Sequence, residues 1–329
     1  MRLHISLVLL ALFFSACSQK VTIDKLSPPI IESANGVKRV AVMSFENDRV
    51  MLANKIESNL AKVLLNEKPY FTLVSSSQRD AILQEQKFQY SSLASRETRI
   101  EIGELLGAEA LITGELKNPS TQRHKYYENR YRCVDKKCKQ KSIYSVSCTR
   151  NTYTLEASVR VVGVEKGEVI FSDNFIESTS RSACSDSSYS LPDASLINAL
   201  QAQNIADKFL PYIAPTRSKV SLKLFDSPDI SYTSKQKDLL KNALAYLELG
   251  ELDRSDELLS QLLTSTGDSC FVAAYDLGVV KESKGELDKA LYLYTLSDRL
   301  SKKPDADIVS SISRIRDQIE SYKILRSNQ

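Results

Sequence analysis

Gly250-Glu251-Leu252-Asp253 returns as Gly285-Glu286-Leu287-Asp288, 35 residues further on. A fixed period of this size marks stacked helical repeats, because a single helix pair cannot bury its own apolar face. The surroundings recur with the motif. Ala243 and Tyr246 precede the first copy and Gly278 the second, while Ser255 and Leu259 follow the first where Ala290 and Tyr294 follow the second. Each glycine is placed to turn one helix into the next. Two repeats bury too little surface to stand alone, and the segment behind them offers a cover. Ile308, Ile312, Ile315, Ile319 and Tyr322 step by four and three, the apolar seam of one more helix. That seam either packs on the last repeat or pairs with another chain, and its two heptads are short for a coiled coil.

Residues 234–326 thus resemble a pair of tetratricopeptide repeats, each one residue longer than usual, with a capping helix. The resemblance implies a concave face that holds a segment of a protein partner, and Tyr246 and Tyr275 are the candidates for touching it.

Ahead of Ser227-Pro228 the pattern is mixed. Val37 to Phe45 reads as a strand buried on both faces, since Val40-Ala41-Val42 is apolar throughout. Ala53, Ile56, Leu60, Val63 and Leu64 form one face of a helix that ends before Pro69. Tyr70 to Val74 reads as a short strand, and Ser77 with Asp80 as a capping box for the next helix. Ser95 caps another helix, which Gly107 closes. Ala110 to Leu116 is a strand, and Tyr153 to Phe175 a hairpin turning at Glu165-Lys166-Gly167. A helix from Asp193 to Leu210 follows. Lys219 to Leu224 is a possible last strand within a linker over 218–233. The mixture predicts an α/β domain with a mixed sheet over residues 37–217.

Four blocks in this domain carry a family resemblance: Arg39 to Phe45, Phe71 to Val74, Ala81 to Gln86 and Leu106 to Gly114. In order and spacing they resemble the curli production assembly/transport, or CsgG-like, family. The resemblance implies an outer-membrane lipoprotein with a periplasmic α/β domain. Some members form ring-shaped secretion pores, which here would require a homo-oligomer, and others activate a peptidoglycan synthase. A pore needs strands of about nine to eleven residues that alternate lipid-facing and lumen-facing side chains. The insertion at 117–150 instead holds ten Lys or Arg against Glu128 and Asp135, and Lys136, Lys137, Lys139 and Lys141 would charge both faces of a strand there. The second stretch that could cross, Ser178 to Tyr189, is rich in serine.

Cys133, Cys138, Cys148 and Cys184 lie in this domain. In an oxidising compartment an even set reads most simply as two disulfides, in any of three connectivities. Zinc held by Cys133, Cys138 and Cys148 with His124 is the alternative, at a looser spacing than usual. Cys270 remains as an odd thiol beside Phe271 and Val272, which reads as a buried structural cysteine. Tyr126, Tyr127, Tyr131 and Tyr144 interleave with the insertion's cations. Tyr126, Tyr127, Lys136, Lys137 and Lys139 are therefore candidates for binding an anionic headgroup, a glycan polymer or an acidic protein.

At the start of the chain Arg2 precedes an apolar run, Ile5 to Phe14, then Ser15-Ala16-Cys17. This resembles the lipobox of bacterial lipoproteins. It implies a signal peptide over 1–16, a fatty-acylated (palmitate-type) Cys17, and a polar tether over 17–36. Ser18, in place of an aspartate, points to the outer membrane and its periplasmic face. Net charge is +3, too small to imply nucleic acid. Once the signal is removed His124 is the only histidine, and there is no phosphate-binding glycine loop. No cofactor is expected. The expectation is a non-enzymatic, lipid-anchored periplasmic scaffold for assembly or secretion of a surface or envelope structure. A peptidoglycan-synthase activator and a secretion channel stand as alternatives.

Overall fold

The structure, a computed structural model, describes residues 19–85 and 95–327. Cys17, the expected signal segment and Gln86 lie outside the described residues. The chain divides into two compact units. Among the described residues one holds 28–216 with 324–327, and the other holds 19–27 together with Arg217–Lys323.

The tether is the first correction. Lys20–Ser27 forms strand β1, paired with a second strand at Thr216–Lys223. The cause is apolar content hidden among polar neighbours: Ile23 and Leu26 are buried, and Val21 packs on the helical core. This second strand is the one expected at Lys219 to Leu224, beginning three residues earlier and ending at Lys223.

In the α/β unit, β2 (Arg39–Val42) is followed by α1 (Leu52–Ala61). Asp48 caps α1, its carboxylate accepting from the N–H groups of Leu52 and Ala53, each at 2.9 Å. A two-residue antiparallel pair, β3 (Leu64–Leu65) and β4 (Lys68–Pro69), leads to β5 (Thr72–Leu73). Helix α2 (Ser76–Glu85) is capped by Ser75, whose Oγ accepts from the N–H of Gln78, and not by Ser77 as expected. Helix α3 (Arg96–Leu106) starts at Ser95, whose Oγ accepts from the N–H of Thr98, and ends at Gly107 with φ +58°. A side chain there would be strained, which is why glycine closes the helix.

The sheet is mixed. β2 runs parallel to β5 on one side and to β6 (Ala110–Leu116) on the other, with Ala41 opposite Leu111. β7 (Ser120–Cys133) continues along the same edge of β8 (Lys141–Gly163) that β6 occupies, and β9 (Glu168–Cys184) takes the other edge. All of these β8 pairings are antiparallel. Helix α4 (Ala194–Ile213) covers this sheet, where Phe209 meets Phe171 and Phe175. Gln201, almost fully buried, donates from Nε2 to the Tyr153 carbonyl at 2.9 Å and so ties helix to strand.

In the second unit β10 (Thr216–Lys223) precedes five helices: α5 (Ser234–Glu248), α6 (Leu252–Ser265), α7 (Phe271–Ser283), α8 (Leu287–Leu300) and α9 (Ala306–Ser327). Gly250 and Gly285 make the two equivalent turns, at φ +78° and +74°. Leu259, Tyr294, Ala243 and Ala290 are all fully buried, so the 35-residue recurrence is a recurrence of core positions. The second repeat exchanges sizes. It has Gly278 for Ala243 and Tyr294 for Leu259, and a Cβ on Gly278 would lie 2.8 Å from the Tyr294 ring. Ile308 and Ile315 of α9 are buried in the same core, with Ile312 and Ile319 packed against it. No described helix is long and apolar enough to cross a membrane.

Candidate functional site

The insertion that sequence marks as charged and cysteine-bearing is a ribbon. β7, β8 and β9 have 14, 23 and 17 residues. β9 ends opposite Cys148, and beyond that point β7 and β8 continue as a two-stranded hairpin. Two disulfides hold it. Cys148–Cys184 joins β8 to the last residue of β9, and Cys133–Cys138 closes the hairpin tip. Asp135 shapes the tip, its carboxylate accepting from the Gln140 N–H at 2.8 Å and its carbonyl from the Cys138 N–H at 3.0 Å.

This pairing spends all four cysteines, so no thiolate is left for zinc. Glu128, Cys148 and Cys184 do converge within 4.8 Å, but two of the three are one disulfide. His124 instead stacks on Tyr126, ring centroids 6.1 Å apart.

Alternation along paired strands sorts the hairpin into two faces. Opposite pairs on one face are His124 with Arg150, Tyr126 with Cys148, Glu128 with Val146, and Arg130 with Tyr144. That face is occupied by its own side chains. Arg150 lies 5.2 Å from the Tyr126 ring centre and Arg132 5.8 Å from that of Tyr144. Arg130 forms ion pairs with Glu128 at 3.3 Å and Asp186 at 3.0 Å, and Val146 and Cys148 are buried. On the other face the pairs are Lys125 with Thr149, Tyr127 with Ser147, Asn129 with Ser145, Tyr131 with Ile143, and Cys133 with Lys141. Tyr127 is 76% exposed, Tyr131 67% and Ile143 63%, and the neighbouring Val134 at the tip 64%. From Thr121 to Cys133 and from Lys141 to Asn151 this face holds no acid.

The candidates separate accordingly. Tyr127 lies on the open face, whereas Tyr126 is on the occupied one. Lys136 and Lys137 sit in the tip turn and Lys139 just after it, all exposed, and not in a strand as expected. They therefore do not charge the strand faces; Arg123 and Lys125 on one side and Arg130 and Arg132 on the other do. Ile143 and Val134 were missed. Only the register, fixed by a tip turn of unknown length at the sequence level, shows that Ile143 meets Tyr131. Tyr246 is 37% exposed on α5. Tyr275 is a correction: at 1% exposure it is core, with its hydroxyl 3.2 Å from that of Ser311, so it cannot touch a partner.

Two other places hold polar groups. A cavity of about 670 Å³ near Asn35, Gly36 and Lys166 has Glu109 in its wall. That carboxylate accepts from the N–H groups of Lys38 and Arg39, so it serves the backbone. In the helical unit Glu282 is fully buried. It accepts from Arg314 at 3.0 and 2.8 Å, from the Tyr294 hydroxyl at 2.7 Å and from Gln318 at 3.0 Å. A carboxylate with four donors is a structural clasp between helices.

No family model and no curated protein matches the chain. Among solved structures it is similar to lipoprotein GNA1162 from Neisseria meningitidis, with 12% identity over 52% of this chain and 97% of that one, TM-score 0.27. It is similar to the LpoB C-terminal domain from Salmonella enterica, with 18% identity over 46% and 95%, TM-score 0.26. A PelC dodecamer from Paraburkholderia phytofirmans matches with 13% identity over 60% and 99%, TM-score 0.24. These alignments cover about half of the chain or somewhat more, and at these identities and TM-scores they assign neither family nor role.

Proposed function

We propose that this protein is a lipid-anchored envelope scaffold that acts by binding, serving the assembly or secretion of a surface or envelope structure. The observation that carries this reading is the ribbon: a long, disulfide-clamped element with one face closed by its own side chains and the other left open with tyrosines and cations. Such a face suits recognition, because aromatic area and unpaired charge are both available to a partner. The helical unit supplies the second contact, to a protein, through the face that carries Tyr246. Periplasmic placement and the Cys17 anchor belong to the same reading.

A secretion channel has one observation in its favour, since all three ribbon strands exceed the roughly nine to eleven residues that cross a bilayer. Against it, Arg123 and Lys125 charge one face of β7 and Arg130 and Arg132 the other, which leaves neither face of that strand for lipid. The test is the size and shape of the full-length protein extracted in mild detergent. Monomers or small solid oligomers are expected by light scattering and negative-stain imaging. Rings with a central hole would replace the scaffold with the channel.

A further inference from the structure

The open face of the ribbon has its own chemistry. Tyr127, Tyr131 and Ile143 line it, Val134 extends it at the tip, and Arg123, Lys125 and Lys141 flank it. Lys136 and Lys137 crown the end in the loop that the Cys133–Cys138 disulfide closes, and Lys139 follows directly after it. Among the described residues none of these six lysines and arginines has an ion-pair partner, whereas Arg130 on the opposite face has two. The apolar side chains and the free cations therefore share one side and one end.

We infer that this face lies on an anionic lipid surface, with the tyrosines and Ile143 in the headgroup layer and the lysines on the phosphates. The inference rests on the envelope reading above. It commits to lipid for two reasons. The first is charge: from Arg130 to Lys141 there are six cations and one acid, Asp135, which is engaged by the turn. The second is shape. Two strands about 4.8 Å apart form a strip roughly 10 Å wide, and Tyr127 to Cys133 spans roughly 20 Å. That is a few hundred Å² at most, against the roughly 800 Å² per partner that a stable protein interface buries. A membrane sets no such minimum, because amphipathic area and cation attraction to anionic lipid add to any other anchor. A second copy is disfavoured, since two acid-free cationic faces repel.

The chain has no tryptophan, so Tyr131→Trp in the full-length protein gives a single reporter on this face. Tyr127→Trp repeats the measurement should the first variant fail to fold. With vesicles of phosphatidylcholine and phosphatidylglycerol, emission shifts to the blue and is quenched by lipids brominated on the acyl chains. With phosphatidylcholine alone neither occurs. Salt of about 1 M, where charges are screened beyond about 3 Å, reverses the response. Replacing Lys136, Lys137 and Lys139 by Gln weakens it about fivefold per lysine, near a hundredfold together. No shift on anionic vesicles, a shift that persists in high salt as an inserted strand would give, or a shift with polyglutamate but not with vesicles would each overturn the inference. Co-sedimentation with the vesicles is read in parallel. If it persists while the tryptophan stays in water, only the lipid face fails; if both are lost, the anchored scaffold fails too.

Discussion

The helical unit and the ribbon use charge in opposite ways. In the helices cations are consumed: Lys281 and Lys284 converge on Asp256, at 2.6 and 2.9 Å, Lys284 also reaches Asp253 at 2.8 Å, and Arg314 holds the buried Glu282. In the ribbon the lysines of the tip and of the open face have no ion-pair partner among the described residues, and what holds the strands is the ladder and two disulfides. Charge that is spent inside a unit contributes to its fold. Charge that is left over is available to something outside it.

Substitutions should break this contrast at the clasp first. Glu282→Ala removes the acceptor of four hydrogen bonds and leaves Arg314 partly buried without its counter-ion, a loss of about 3–5 kcal/mol. Urea unfolding followed by helical circular dichroism should register it, and a change below about 1 kcal/mol would mean that the network contributes little. Next in size is Cys148→Ser with Cys184→Ser. Opening a link between residues 36 apart in sequence costs about 2–4 kcal/mol in the chain-entropy account. The effect belongs to the ribbon, so amide exchange should rise in β9 and the distal part of β8 while the helices keep their protection.

A third test uses pH. Asp276 is wholly buried on α7; its Oδ1 accepts from the Phe225 N–H at 3.1 Å, while Oδ2 has no partner. Burial holds its carboxyl well above the usual carboxylate range. The unfolded chain ionises this group above about pH 4, and the folded chain keeps the proton. Stability from this site is therefore present at low pH and is lost as pH rises, until the folded group ionises as well. Asp276→Asn keeps the acceptor without the charge, so it should raise the melting temperature at neutral pH and change it little near pH 3. An effect of equal size at both values would show that titration is not the cause.

Much of the helical unit was legible because its signals are local. The 35-residue spacing, the two glycines and the isoleucine seam each follow from turn chemistry or helical period. The α/β core was legible for similar reasons, as at Ala110 to Leu116, at the Glu165-Lys166-Gly167 turn and at the Ser95 and Gly107 ends of α3. Pairings between distant segments were not. β1 was hidden because Val21 and Ile23 alternate over too few residues to stand out before their partner at Thr216–Lys223 is known. The open face of the ribbon depends on register, and moving the tip turn by one residue would exchange the faces. Tyr275 misled because an aromatic at a repeat position fits the core and a concave surface equally well.

The smallest effect is the most pointed. Replacing Lys136, Lys137 and Lys139 by Gln removes three charges from exposed positions without ion pairs among the described residues. It should change stability by no more than about 0.5 kcal/mol per site. The same change in the helices, Lys281→Gln with Lys284→Gln, strips Asp256 of both its cations. Burial pulls the Asp256 carboxyl up, and those two lysines outweigh it and hold the group below its usual range, so the folded unit should then lose stability as its carboxylate is left without a counter-ion. Thermal melts of the two sets side by side measure the contrast directly. If the ribbon set destabilises as much as the helical set, the ribbon cations are structural and the open face is not a binding face. If it leaves the melt unchanged, the lysines are there for something other than the fold.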